Sequence, residues 1–123
     1  MKVLHVLDHS IPLQSGYTFR TRAILREQVR RGWEVVSVTS GKHGAATGDP
    51  EVIDGLRFFR TPSTASWLDS IPAGRQVAIV RDLSRNLERI VAKERPDVLH
   101  AHSPSLNALA ALRVARRARL PVV

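Results

Sequence analysis

The chain has 123 residues, 43% of them hydrophobic and 24% charged, the composition of one compact globular domain and not of a disordered segment. Cysteine is absent, which excludes disulfides, thiolate metal sites and a thiol nucleophile. Nineteen basic residues, sixteen of them arginine, stand against eleven acidic ones for a net charge of +8; GC-rich codon usage or an anionic partner (nucleic acid, a phosphorylated ligand, an acidic membrane surface) would each give this balance.

Val3 to Leu7 is a short apolar run and reads as a buried strand. It is too short for a secretory signal, and no run reaches the roughly 18 apolar residues of a membrane span, so the cytoplasm is the expected compartment. His9 to Gly16 is a loop of turn formers. Tyr17 to Arg31 holds no Pro or Gly and is predicted helical, with Phe19, Ala23 and Val29 as its apolar face and Gly32 as its stop. Glu34 to Thr39 alternates and is β-branched, a second strand. Gly41 to Pro50 is a loop, Asp54-Gly55 a turn and Leu56 to Arg60 a short strand.

Thr61 to Gly74, with two prolines and Trp67, is a long connection. Gln76 to Glu94 is the clearest helix, since Val80, Leu83, Leu87, Ile90 and Val91 keep helical spacing, and Arg95-Pro96 ends it. Asp97 to Ala101 is a strand. Ser103-Pro104 fits an N-cap followed by Pro at the first helical position, opening a helix from about Ser105 to Arg119, and Leu120 to Val123 begins one more strand. The order β-α-β-β-α-β-α-β predicts an α/β fold: a Rossmann-like, doubly wound, mostly parallel sheet with helices on both faces. In such sheets ligands bind beyond the carboxyl ends of the strands, which selects Asp8 to Gly16, Ser40-Gly41 and His102-Ser103.

The first strand-loop-helix is the place for a phosphate, because Gly16 allows close backbone approach and a helix N-terminus offers N–H groups. The dinucleotide fingerprint is absent, and Gly41-Lys42 lacks the earlier glycine of a P-loop, so an ordinary βα turn stays open as the alternative. His100 and His102 share one strand face. A metal pair would need His5, His9 or His43 as a third ligand; the preferred division keeps His100 packed and turns His102, at the strand tip, into the ligand crevice. Asp8 and His9 fit an acid–base pair or a loop cap. Arg20 and Arg22 fit phosphate or carboxylate contacts, or a solvated helix face. Arg113, Arg116, Arg117 and Arg119 sit where a helix C-terminus favours cations in any case.

The stretches MKVLHVLDHSIP, QSGYTFRTRAILREQVRRGWEV, DGLRFFRTP, RPDVLHAHSP and ALRVARRARLPVV together resemble the N-terminal domain of family-4-like, GT-B glycosyltransferases. HSIPLQSGYTFRTRAIL is most similar to the subgroup associated with exosortase and exopolysaccharide loci. The resemblance implies the acceptor-side half, spanning residues 1–123, of a retaining hexosyltransferase acting in polysaccharide biosynthesis. Such an enzyme moves a sugar from a nucleotide-sugar donor to a lipid-linked or polysaccharide acceptor, with no metal or other cofactor. By motif position it places Ser15 and Gly16 in the donor-phosphate loop and His102 at the cleft-facing strand tip; with the strand-tip rule and the first turns of the helix, the acceptor or cleft candidates are Asp8, His9, Ser10, Arg20, Arg22, Ser40, Gly41, His102 and Ser103. Catalytic residues stay unassigned. Ser15 stands where many members have a second glycine. No match exists to the Glu-x7-Glu of the C-terminal donor-binding domain, so the 123 residues read as a truncated form, inactive alone. Charge and family together imply peripheral contact with an anionic membrane, on the inner face of the plasma membrane. A basic nucleic-acid- or phosphate-ligand-binding module is the alternative. Nucleic acid is not the expected partner, because the six aromatic residues are not interleaved with basic strands.

Overall fold

The computed structural model describes residues 1–43, 50–63, 70–103 and 105–123, so Trp67 and Pro104 lie outside the described residues. The elements are β1 (Lys2–Leu7), α1 (Gly16–Arg30), β2 (Glu34–Thr39), a 3-10 turn (Gly41–His43), β3 (Glu51–Ile53), β4 (Leu56–Arg60), α2 (Gly74–Glu94), β5 (Val98–Ala101) and α3 (Leu106–Ala118). One sheet runs in the order β3-β4-β2-β1-β5. All its pairings are parallel except β3 with β4. Beyond β5, Leu99 bridges Val122 in parallel, so the expected last strand does begin there.

The two-residue period of the strands divides the core. Leu4, Val6, Val36, Val38, Phe59 and Leu99 face α2 and α3, meeting Leu83, Leu87, Ile90, Ala110 and Val114. Leu7, Val35, Leu56 and Phe58 face the other way, against Leu25 of α1 and Ile11. The result is the mostly parallel sheet, covered on both faces, that the alternation predicts.

One strand is added and two readings change. Glu51–Ile53, between the expected loop and the turn, is a short antiparallel edge strand. It is made possible by Asp54 (φ 54°) and Gly55 (φ 75°), both left-handed as a tight hairpin requires. The inward face of α1 is Thr18, Thr21 and Leu25, while Phe19 and Val29 are exposed and Ala23 faces outward with them. Both threonine hydroxyls are bonded within the helix start, Thr18 Oγ1 in the cap and Thr21 Oγ1 on the Thr18 carbonyl, so these side chains can be buried and apolar content alone picked the wrong side. The N-cap of α3 is Ser105, not Ser103, and its side chain makes no capping hydrogen bond.

At the amino-terminal edge Glu94, at the end of α2, gathers Lys2 Nζ at 2.7 Å and Arg57 Nη2 at 2.6 Å. The carboxylate is nearly buried, and although burial opposes ionisation, these two cations hold it below the usual range. It therefore adds stability above its unfolded value near 4.5 and loses it as pH falls through the depressed one. Glu94→Gln is expected to cost about 2 kcal/mol at pH 7 in chemical denaturation. The gap to the unsubstituted chain should narrow as pH falls through the depressed pKa of Glu94, where the carboxylate itself protonates.

Candidate functional site

Parallel strands bring the carboxyl ends of β1, β2, β4 and β5 to one edge, so that Asp8, Ser40, Thr61 and His102, the residues next after them, lie there. Arg60, the last residue of β4, organises that edge from inside. Only 2% of it is exposed. Nη1 donates to Ser10 Oγ at 2.5 Å, Nη2 donates to the Ile11 carbonyl at 2.9 Å, and Glu51 Oε2 of β3 accepts from Nη2 at 3.2 Å. Phe58 lies under the guanidinium, 5.1 Å from ring to carbon. Burial pushes the guanidinium pKa down and Glu51 pulls it back, so it stays cationic. Ser10 is therefore a buried anchor of the loop after β1. Ser40 is buried too and donates to the Asp8 carbonyl at 3.1 Å.

That loop delivers the start of α1. Ser15 caps the helix reciprocally: its Oγ accepts from Thr18 N–H at 3.1 Å and Thr18 Oγ1 accepts from Ser15 N–H at 2.9 Å. His9 Nε2 stands 3.1 Å from Ser15 Oγ, and its ring packs on Tyr17 at 4.8 Å. The cap takes up the Thr18 N–H, and Phe19 N–H bonds the Ser15 carbonyl. Gly16 and Tyr17 thus carry the donors of the first turn that remain for a ligand. A Cβ built on Gly16 would meet nothing within 4 Å, so open space lies in front of it. No acidic residue occupies this turn, and Arg20 lies over the Tyr17 ring at 6.0 Å. The arrangement suits an anion.

The remaining candidates divide. Asp8 keeps one buried carboxylate oxygen with no hydrogen-bond partner; Lys42 Nζ is 3.8 Å away. Gly41 touches Ser63, whose Cβ would lie 3.2 Å from an added Cβ, so only a glycine fits without a shift. Gly41, Lys42 and Ser63 line one side of a cavity of about 260 Å3, with Arg75 and Asp82 opposite. Arg22 does not join the strand-tip cluster. Its Nη2 pairs with Asp54 of the β3–β4 turn at 2.6 Å. Ser103 is half-buried just past β5.

The histidines are grouped differently from expectation. His5 opposes His100 in the β1–β5 register and is fully buried. His100 is half-buried, not packed away, and its ring stacks on His102 at 4.2 Å. His5 Nδ1 lies 2.7 Å from His102 Nε2, and His5 Nε2 lies 2.7 Å from Gln28 Oε1 of α1. Since the amide oxygen only accepts, His5 donates from Nε2 and presents a bare Nδ1 to His102. Gln28 and Arg60 were absent from the sequence-derived candidates; neither carries a local motif, and only the tertiary register reveals them.

Burial lowers the His5 pKa to about 4. Burial, then the charges of His100, His5 and Arg20, lowers that of His102 to about 3. Above the ordinary value of 6.5 both states are neutral and nothing is lost. As pH falls below it the unfolded chain alone takes up protons, so stability drops by up to about 1.4 kcal/mol per pH unit for each histidine. Denaturation curves between pH 7 and 4 should show this slope, and His5→Asn should flatten it.

Residues 15–123 match the glycosyl transferase 4-like domain family. The chain is 29% identical over 109 residues to the sulfoquinovosyl transferase SQD2 of Arabidopsis thaliana, covering 89% of this chain but only 19% of that protein. In structure it is similar to the C-terminal domain of the PF1911 hydrogenase of Pyrococcus furiosus, with a TM-score of 0.69 at 12% identity over 99% of this chain and 88% of that one. It is also similar to the UDP-GlcNAc 2-epimerase of Methanocaldococcus jannaschii in complex with UDP-GlcNAc and UDP, with a TM-score of 0.65 at 16% identity over 100% of this chain and 32% of that one. At such identities these structures speak for the fold alone. The family match runs from the cap of α1 to the last residue and takes in every helix and strand except β1: the chain belongs to the glycosyl transferase 4-like domain family.

Proposed function

We propose that this chain is the acceptor-side half of a retaining glycosyltransferase. In this reading a sugar passes from a nucleotide-sugar donor to a lipid-linked or polysaccharide acceptor, and a second, donor-binding domain is needed for catalysis. The observation that carries the reading is the first turn of α1. It lies at the carboxyl edge of a parallel sheet, with the Gly16 and Tyr17 N–H groups outside the cap, open space at the Gly16 Cβ position, no acidic residue in the turn and Arg20 beside it. The family match and the transferase named among its relatives support the same chemistry.

The roles follow from the geometry. Gly16, Tyr17 and Arg20 offer donors to the donor diphosphate, where fixed dipoles act without reorganisation. The unbonded carboxylate oxygen of Asp8 accepts from a sugar hydroxyl. His102, neutral and oriented through His5 and Gln28, lies beside the cleft. Contact with the inner face of an anionic membrane is part of the proposal. What supports it is the +8 charge and the surface of α3, where exposed Leu109 and Leu112 alternate with Arg113 and Arg116.

Gly16→Glu in the full-length protein is the discriminating variant. A carboxylate at the first helical position faces open space and favours the helix dipole, so the melting temperature should hold or rise slightly. Affinity for UDP by calorimetry should fall about tenfold or more, because the same carboxylate repels the phosphates. Unchanged UDP affinity would remove the phosphate assignment, and sugar transfer by the 123-residue chain alone would remove the half-enzyme reading.

A further inference from the structure

We propose that His5, His100 and His102 form a binding site for a divalent first-row transition ion, zinc foremost. The site lies on the α1 face of the sheet, at the β1–β5 edge. The strand register builds it. His5 pairs with His100 across β1 and β5, and His102 follows two residues on along the same face. One ring nitrogen from each lies within 4.8 Å of the others.

The donor set selects the ion. Three imidazoles, with no carboxylate or carbonyl among them, suit zinc, copper or nickel and not magnesium or calcium. The His5 Nδ1 lone pair is free for an ion, whereas the proton that His102 shares with it from Nε2 moves to Nδ1 of the same ring when Nε2 becomes a ligand. The outer support of a metal histidine is already present: Gln28 Oε1 accepts from His5 Nε2–H at 2.7 Å and turns Nδ1 toward the other two rings.

The adjustment on binding is small. Nitrogens around a tetrahedral zinc stand roughly 3.3 Å apart, about 2.0 to 2.1 Å each from the metal. The His5 and His102 nitrogens, now at 2.7 Å, part by about half an ångström to reach this. His100 is half-buried on β5, its ring centroid 5.0 Å from that of His5 and 4.2 Å from that of His102, so a turn of this ring toward the other two completes the set. Three ligands leave a fourth position open on the exposed side of the cluster. The inference does not depend on the sugar-transfer reading, because its test uses the ion alone.

The test takes the whole chain without an affinity tag. Cobalt(II) should give visible d–d bands of low-symmetry coordination, displaced by one equivalent of zinc, and calorimetry with zinc should show one ion per chain. His100→Ala should weaken zinc binding about 100-fold and Gln28→Leu about tenfold, with circular dichroism unchanged. His9→Ala and His43→Ala, outside the cluster, should leave it intact. Absence of cobalt bands and of saturable zinc binding overturns the proposal. So does a loss of less than about tenfold in His100→Ala, or a matching loss in His9→Ala or His43→Ala.

Discussion

A buried cation holds the ligand-facing edge of this sheet together. Arg60 reaches from the end of β4 under the loop that follows β1, binding Ser10 and the Ile11 carbonyl on one side and Glu51 of β3 on the other. An uncompensated guanidinium in that position would be very costly, so the loop and the edge strand must take the places that satisfy it. The loop in turn sets where Ser15 caps α1, and hence where Gly16 presents its N–H group. The position of the first helical turn is thus settled by a residue forty-five positions later in the chain, at the far side of β2.

The same accounting explains the surplus of arginine. Much of it is structural on the described residues: Arg57 serves Glu94, Arg22 and Arg26 share Asp54, Arg30 and Arg31 hold Glu27, and Arg117 holds Glu88. Exposed pairs of this kind add little stability each. They do place a carboxylate beside many of the cations, although the net charge stays at +8 and Arg113 and Arg116 of α3 remain exposed. Near the strand tips, Arg20 and Lys42, beside the α1 N-terminus and Asp8, add a local positive field.

Most of the architecture was legible in the residues. Alternation in Glu34 to Thr39, helical spacing from Val80 to Val91 and the Asp54-Gly55 turn each carry their own signal over short range. The errors came where the deciding partner is remote. Thr18 and Thr21 are inward with their hydroxyls bonded inside the helix start, a satisfaction no local hydropathy contains. Glu51–Ile53 is too short to show a period and exists as a strand only because β4 is beside it. Around the strand tips, Ser15 and Gly16 lie at the start of α1, as the loop-to-helix pattern implies, whereas Arg22 is drawn off to Asp54 and His5 converges on His100 and His102 through a register that the two segments do not encode separately.

The histidine cluster also has a temporal meaning. The β3–β4 hairpin joins neighbours across two residues, and α2 is made of contacts four residues apart, so both can form from local chain motion. His5 and His102 are 97 residues apart, and their rings meet only once β1 and β5 have closed a loop of nearly the whole chain. Such closure is the entropically slow part of building a parallel sheet. The imidazole resonances of these residues therefore act as a clock for the fold: they report the moment at which its two distant ends first hold each other.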